Sequence, residues 1–153
     1  MEAEREAMKR LDFLVGKWSG RALVLRGPGE AIELRQSEEV HYKLDGLVLL
    51  VEGAGCNAEG QIVFQALAII SYDDTTSTYR FRAYSDGHYL DTELIVRPRG
   101  FGWGYTFGPV MVNNTMQLDD NNDWVEVTET IIESSPPRQS VQMKLHQLES
   151  YID

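Results

Sequence analysis

From Gly16 onward, the chain contains ten segments in which apolar and polar residues alternate, separated by short stretches typical of turns. Alternation with a period of two predicts β-strands. The intervening turns are too short to hold crossover helices, so consecutive strands should pair antiparallel as an up-and-down meander. A meander of this size leaves two long unpaired edges unless it closes on itself. We therefore expect an all-β, ten-stranded antiparallel up-and-down barrel.

The predicted strands are separated by glycine, proline, asparagine and aspartate residues. Asp45-Gly46 and Asp86-Gly87 are typical of tight hairpins, and Gly27-Pro28-Gly29 marks another turn. No composition shift or linker divides the chain, so residues 1–153 should form a single lipocalin-like β-barrel domain. The predicted strands are Gly16–Arg26, Ala31–Leu44, Leu47–Cys56, Gln61–Tyr72, Thr78–Ser85, His88–Arg97, Phe101–Phe107, Val110–Leu118, Asp123–Glu133 and Gln139–Leu148.

One helix is predicted before the first strand. Residues Glu2 to Leu14 are rich in strong helix formers, and an apolar stripe recurs at helical spacing. Gly16 is a plausible end for this helix. We expect the short N-terminal helix to act as a plug or lid against the barrel. The stripe consists of Met8, Leu11, Leu14 and Val15.

Charge and cysteine content exclude several functional classes. The formal net charge is −10 and the pI is near 4.7. Such a balance argues against nucleic acid and against anionic membranes as partners. Cys56 is the only cysteine, so no intramolecular disulfide can form, which suits a reducing compartment. The N-terminal stretch lacks the apolar region of a signal peptide, so we expect a cytoplasmic protein.

The alternation places several candidate ligand-binding residues on otherwise apolar faces. Gln36 and Glu38 lie between Leu34 and Val40 on the second strand. A buried carboxylate is costly unless it is paired, so an inward Glu38 implies a partner or a ligand. The alternative is that Glu38 is wet, near a strand end or a bulge. Trp18, Phe64 and Met143 belong to apolar faces of their strands, where core packing is the competing interpretation.

Two further strands contribute candidates. Arg80 and Arg82 share a face with Tyr84; if that face points inward, Arg82 and Tyr84 could bind a carboxylate head group. If it points outward, it is an ordinary basic surface. Trp103 and Tyr105 form an aromatic ladder with a glycine between them, which indicates a close approach by backbone or ligand, or core packing.

The segment Phe13–Gly20, with the sequence FLVGKWSG, carries a family resemblance. Its G-x-W resembles the calycin superfamily, which includes lipocalins and fatty-acid-binding proteins. The longer motif is similar to the opening of nitrobindin-like haem-binding barrels and of a related uncharacterised bacterial lipocalin-like family. The resemblance implies a short helix followed by a ten-stranded barrel. This sequence departs from nitrobindins after the motif, where Arg21-Ala22-Leu23 replaces a further glycine and a proline-containing segment.

The resemblance also implies a haem iron held by a histidine near the C-terminal strand. His146 is the only nearby candidate, but it lies on the opposite face of its strand from Met143 and Leu145 and should therefore point outward. The sequence requires no cofactor, and haem stays an alternative that this parity disfavours. Metal-ligand spacing is absent as well, because the histidines lie on separate strands and there is one cysteine.

Three hypotheses remain open. The favoured one is a binding barrel for a small hydrophobic or amphipathic molecule. The second is an enzyme on the same barrel, either haem-dependent or using Glu38 in general acid–base chemistry. The third is an oligomerising module, a homodimer formed through outward apolar residues such as Val48 and Leu50.

Overall fold

The computed structural model describes residues 1–27 and 29–152. Ten antiparallel strands, β1 to β10, form a closed barrel in which each strand pairs with its neighbours in sequence. Pairing of β1 with β10 closes the barrel, with Ala22 opposite Met143 and Gly20 opposite Leu145. The predicted fold class is therefore confirmed.

The observed strands match the predicted ones with shifts of at most two residues at an end. Short turns join all of them, as the turn signals indicated. The strands are β1 (Gly16–Gly27), β2 (Glu30–Lys43), β3 (Val48–Cys56), β4 (Ile62–Asp73), β5 (Thr78–Ser85), β6 (His88–Arg97), β7 (Gly100–Phe107), β8 (Val110–Leu118), β9 (Trp124–Ile132) and β10 (Arg138–Ser150).

The two hairpin signals give different turns. Asp86 and Gly87 both have positive φ angles, and Ser85 pairs directly with His88, so this is the predicted two-residue turn. The Asp45-Gly46 signal gives a longer connection between β2 and β3, in which Leu44 also has a positive φ angle. Pro28, in the third predicted turn, lies outside the described residues.

The N-terminal segment is helical but changes type halfway. An α-helix, α1 (Glu2–Met8), continues as a 3₁₀-helix over Lys9–Leu14. The predicted apolar stripe is buried: Met8, Leu11 and Leu14 are fully inaccessible, and Val15 nearly so. Among the described residues no helix is long and apolar enough to cross a membrane.

Barrel side chains hold this helical plug through its carbonyl groups. The indole nitrogen of Trp18 donates to the Leu14 carbonyl over 2.9 Å, and the Tyr79 hydroxyl donates to the Ala7 carbonyl over 2.7 Å. The Tyr42 hydroxyl lies 2.8 Å from the Met8 carbonyl oxygen and 2.6 Å from Asp12 Oδ1. The last carbonyls of a helix lack partners within the helix, so these donors satisfy groups that burial would otherwise strand. The plug thereby closes one end of the barrel.

Candidate functional site

Inward-facing side chains become more accessible along the barrel axis, away from the helical plug. Near the plug they are packed tightly: Leu49, Leu94 and Leu145 are at most 1% exposed. Beyond them the inner faces keep intermediate accessibility on most strands. At the opposite end, Tyr105 is 40% and Phe107 77% exposed. The barrel is thus a cup, closed by the plug and open to solvent at the other end. The inner residues of intermediate accessibility include Val24, Phe64, Ala66, Ala83, Trp103, Thr130 and Val141.

Gln36 and Glu38 face the inside of this cup. Gln36 Nε2 donates to Glu38 Oε1 over 3.1 Å. Each residue lies opposite a glycine of β3, Gln36 against Gly55 and Glu38 against Gly53. A Cβ atom on Gly53 would lie 2.6 Å from both carboxylate oxygens of Glu38, and one on Gly55 would lie 2.9 Å from Gln36 Oε1. The two glycines therefore leave the space that the polar pair occupies.

A second polar group faces Glu38 from across the cup. Glu126 of β9 accepts a hydrogen bond from Trp124 Nε1 over 2.8 Å. Asn114 of β8 is only 2% exposed, and its Oδ1 accepts a hydrogen bond from Thr128 over 2.8 Å. The Asn114 Nδ2 is buried and makes no hydrogen bond of ordinary length and angle with any described residue. We call Gln36, Glu38, Asn114 and Glu126 the polar layer.

Both carboxylates of the polar layer resist ionisation. Removal from bulk water, followed by repulsion from Glu126, raises the pKa of Glu38 to about 8, against a small opposing effect of the Gln36 hydrogen bond. Burial likewise raises the pKa of Glu126, while Trp124 and the nearby Asn114 amide act in the opposite direction. The two groups interact, so their protons leave as those of a coupled pair. Both side chains keep intermediate accessibility, which shows that solvent reaches them inside the cup.

Neither carboxylate has a cationic partner within the described part of the chain. None of the salt bridges among the described residues includes Glu38 or Glu126. No cationic side chain contributes to either pKa shift. Arg138 is exposed at the open end, opposite Thr130, well above this level. The polar layer is therefore acidic and unneutralised when both groups ionise.

An aromatic wall leads from the core to the open end. Phe81 and Trp103 stack with ring centroids 5.2 Å apart, and Trp103 and Tyr105 with centroids 6.2 Å apart. The ladder predicted for Trp103 and Tyr105 thus lines the cup, as do Phe64 and Met143, which also face inward. Trp18 is 1% exposed and packs edge-on against Trp124 at 5.4 Å, beneath the cup.

Arg82 and Tyr84 lie elsewhere, because their face of β5 points outward. Arg80 and Arg82 both reach Asp91 on the surface, with N–O distances of 2.8 and 3.5 Å. Tyr84 is exposed and stacks at a tilt against Tyr89. The condition under which Arg82 and Tyr84 would bind a ligand head group inside the barrel is therefore not met.

The histidines do not fit a haem site inside the cup. His146 is exposed on the outer face, as its parity indicated, and its Nδ1 lies 2.7 Å from Asp123 Oδ1. His41 stacks on Tyr151 at a centroid distance of 4.7 Å on the outer face. His88 pairs with Ser85 on the inner side of the barrel, but it lies beside a turn at the rim and is exposed, outside the cup proper. The described residues also contain no cluster of three or more metal-ligating side chains.

A separate groove of about 570 Å³ runs over the outside of β2 to β5. Its walls are mainly outward-facing residues, among them Lys17, Glu39, Glu52 and Tyr84. It is wide and strongly acidic, and its outward-facing residues alternate along the strands with those of the cup. The groove touches Glu38 and Gly53, but Gln36, Asn114 and Glu126 do not line it. The candidate site is the cup, because the buried Asn114 amide without a full partner lies there.

Sequence reasoning missed Asn114 and Glu126. Asn114 alternates with Val112 and Met116, so the same argument that identified Gln36 could have identified it. Glu126 gave no such signal, because Val125 and Val127 make the opposite face of β9 equally apolar. Only the register with β10, in which Glu126 lies opposite Met143, places it inside.

A solved structure shares this architecture. The crystal structure of Rv2717c from M. tuberculosis matches with a TM-score of 0.68 and 10% sequence identity, over 92% of this chain and 96% of that chain. No family model and no curated protein sequence matches the chain. Similarity at this level of identity supports a shared fold and leaves function to the site. The barrel fits a calycin-like fold.

Proposed function

We propose that this protein is a binding barrel for a small amphipathic molecule. The apolar part of the ligand would occupy the open half of the cup, against the aromatic wall, and its polar end would reach the polar layer. One observation carries the proposal: on most strands, inner side chains between the plugged core and the rim stay accessible to solvent, whereas those of β2 and β8, such as Leu34 and Val112, are buried. Pockets for small molecules typically combine such apolar walls with a few convergent polar groups.

The net charge and the cysteine content of the protein are consistent with a freely diffusing small-molecule ligand. The net charge of −10 disfavours nucleic acid and anionic membrane surfaces as partners. We propose a cytoplasmic location, in agreement with the single unpaired cysteine, Cys56. A nitrobindin-like activity would need a haem ligand inside the cup, which His146 does not supply, so the proposal is a binding barrel without haem.

Native mass spectrometry of the purified protein tests occupancy directly. We expect a discrete extra mass that is lost on denaturation, and its value would separate haem from a smaller amphipathic metabolite. A mass near that of a haem group would overturn the assignment above.

A pair of matched variants tests where an apolar molecule binds. Ala83 faces the cup, whereas Ala54 faces outward and lines the outer groove. With the neutral dye Nile red as probe, we expect Ala83→Phe to weaken binding about tenfold by filling the cup. Ala54→Phe adds the same volume outside and should leave binding unchanged. The opposite result would place the ligand in the outer groove and refute the cup.

A general acid–base enzyme is the second candidate, supported by the raised pKa of Glu38 in an accessible interior. A carboxylic acid that keeps its proton near neutral pH can transfer it to a bound substrate. Its neighbours are Gln36 and Glu126 rather than the arginine or tyrosine that such chemistry would favour. Turnover of any substrate found should be lost in Glu38→Gln while binding persists; unchanged turnover would remove Glu38 from the mechanism.

A further inference from the structure

The polar layer makes the inside of the cup acidic. Glu38 and Glu126 are close enough for their charges to interact, and no described cation neutralises them. Once the pair ionises, as Glu38 does above about pH 8, an anionic head group such as a fatty-acid carboxylate would meet repulsion at this level. A cationic head group would meet two carboxylates in a low-dielectric site, where charge-assisted hydrogen bonds are strong.

The carboxylates are accompanied by a polar group that the protein leaves incomplete. Asn114 is 2% exposed, its amide lies beside Glu126, and its Nδ2 has no hydrogen-bond partner of ordinary geometry among the described residues. A buried amide donor without an acceptor is costly, and native proteins rarely keep one without a reason. The Asn114 amide stabilises the ionised form of Glu126, so a cationic group that keeps Glu126 ionised would give this donor a charged acceptor.

The space around Glu38 is built into the backbone. Gly53 lies opposite Glu38, and any Cβ there would meet both carboxylate oxygens. From Glu38 to Ile32 at the rim, β2 rises by six residues, about 20 Å along the strand. Between these two levels the walls are largely apolar, so a ligand can place a polar group beside Glu38 and an alkyl or aromatic tail toward the rim.

We propose that the ligand of this barrel is a lipophilic amine, whose protonated nitrogen binds between Glu38 and Glu126 while its tail lies along the aromatic wall. This inference rests on the proposed binding function and specifies the chemistry of the ligand. In the free protein the carboxyl pair retains a proton; the ammonium group takes its place, and that proton is released to solvent.

Three probes with the same tail separate head-group chemistry from tail burial: decylamine, decanol and decanoate. Their affinities are measured above pH 8 by calorimetry and by the intrinsic fluorescence of the three tryptophans, of which Trp103 lines the cup. We expect decylamine to bind at least about tenfold more tightly than decanol, and decanoate to bind most weakly. Decanoate binding as tightly as decylamine would overturn the inference.

Charge-matched variants show whether the preference comes from the polar layer. Glu38→Gln and Glu126→Gln should each reduce decylamine affinity to that of decanol. Asp91 pairs with Arg80 on the outer face of the barrel, so Asp91→Asn removes one negative charge outside the cup. This control variant should retain the preference for decylamine over decanol. A preference lost equally in Asp91→Asn, or kept in Glu38→Gln, would show general attraction to an acidic protein and refute the site.

Proton release gives an independent readout. Glu126 on β9 is the titratable group that faces Glu38. The other groups around Glu38 are the side chains of Gln36 and Trp18 and the backbone of Gly53. The free pair binds more protons than the amine-bound pair, so decylamine affinity should rise between pH 6 and 8. Calorimetry in buffers of different ionisation enthalpy should show release of a proton. A flat pH profile would contradict the exchange.

The outcomes also separate the inference from the function on which it rests. If decanol and decylamine bind equally, the barrel binds apolar tails and the amine assignment fails. If none of the three probes binds, the binding function itself fails, and the amine assignment with it.

Discussion

At the scale of single residues, Gly53 determines where the Glu38 carboxylate can lie. Gly53→Ala should push that carboxylate out of its position at a cost below about 1 kcal/mol of unfolding free energy, because only the far end of a flexible side chain must move. Urea denaturation measures the cost, and carbon-13 NMR of the glutamate carboxyl groups reports a changed pKa. Gly27→Ala, whose Cβ would meet nothing within 4 Å, is the control. Equal effects of both substitutions would contradict the role of Gly53.

Glu38 also makes stability depend on pH. Its pKa of about 8 in the folded protein exceeds the usual value of 4.5, so the folded state binds more protons between these pH values. Stability from this group is therefore full below pH 4.5 and falls as pH rises toward 8. Glu38→Gln should raise the unfolding free energy at pH 8 by on the order of a few kcal/mol and change it little near pH 4.5. Denaturation curves that shift equally at both pH values would be inconsistent with this.

At the scale of elements, the plug depends on tyrosine hydroxyls from two strands. Tyr79→Phe leaves the Ala7 carbonyl without its 2.7 Å donor and should cost about 1–2 kcal/mol. We expect the weakened plug to open before the barrel does, which would give faster amide exchange over residues 5–14 than over the strands. Tyr89→Phe, which removes an exposed outer-face hydroxyl, should change neither quantity. Uniform acceleration of exchange would show that the plug does not open separately.

Strand positions could be predicted from the sequence because turn residues bracket each alternating segment. The inner face of β1 followed from Trp18, Ala22 and Val24, whereas β3 was ambiguous because Leu49 and Leu50 are both apolar. The structure buries Leu49 and leaves Leu50 on the outer face, since the register with β2 fixes which side each faces. The 3₁₀ geometry of Lys9–Leu14 was not predicted, because helix propensity does not separate the two helix types.

Only part of the polar layer could be predicted from the sequence of single strands. Gln36 and Glu38 were identified because each interrupts an apolar face of its own strand. Their relation to Glu126 depends on closure of the barrel, which brings β2 and β9 together through β1 and β10. For Arg82 and Tyr84 the alternation of β5 was clear, but the sequence did not show which of its two faces points inward. Burial of Phe81 places the opposite face inside, so Arg82 and Tyr84 lie outside.

At the scale of the whole molecule, the outer apolar residues bear on assembly. Val48 and Leu50 face outward and are partly exposed, as the homodimer hypothesis requires. If they form an interface, the mass from light scattering should exceed 17.4 kDa and rise with concentration, and Leu50→Lys should restore the monomer. Ile95→Lys adds the same charge at another exposed outer position and is the control. A mass of one chain at every concentration would exclude the homodimer.

Closure of the barrel also sets the order in which the chain can fold. Nine of the ten strand pairings join neighbours in sequence and can form as local hairpins, while the pairing of β1 with β10 joins opposite ends of the chain. During synthesis, the strand that carries Trp18 is made before the other strands of the barrel, and one of its edges stays unpaired until β10 is made. The nascent barrel therefore exposes two open edges until its end, and the final seam is the step at which aggregation competes with folding.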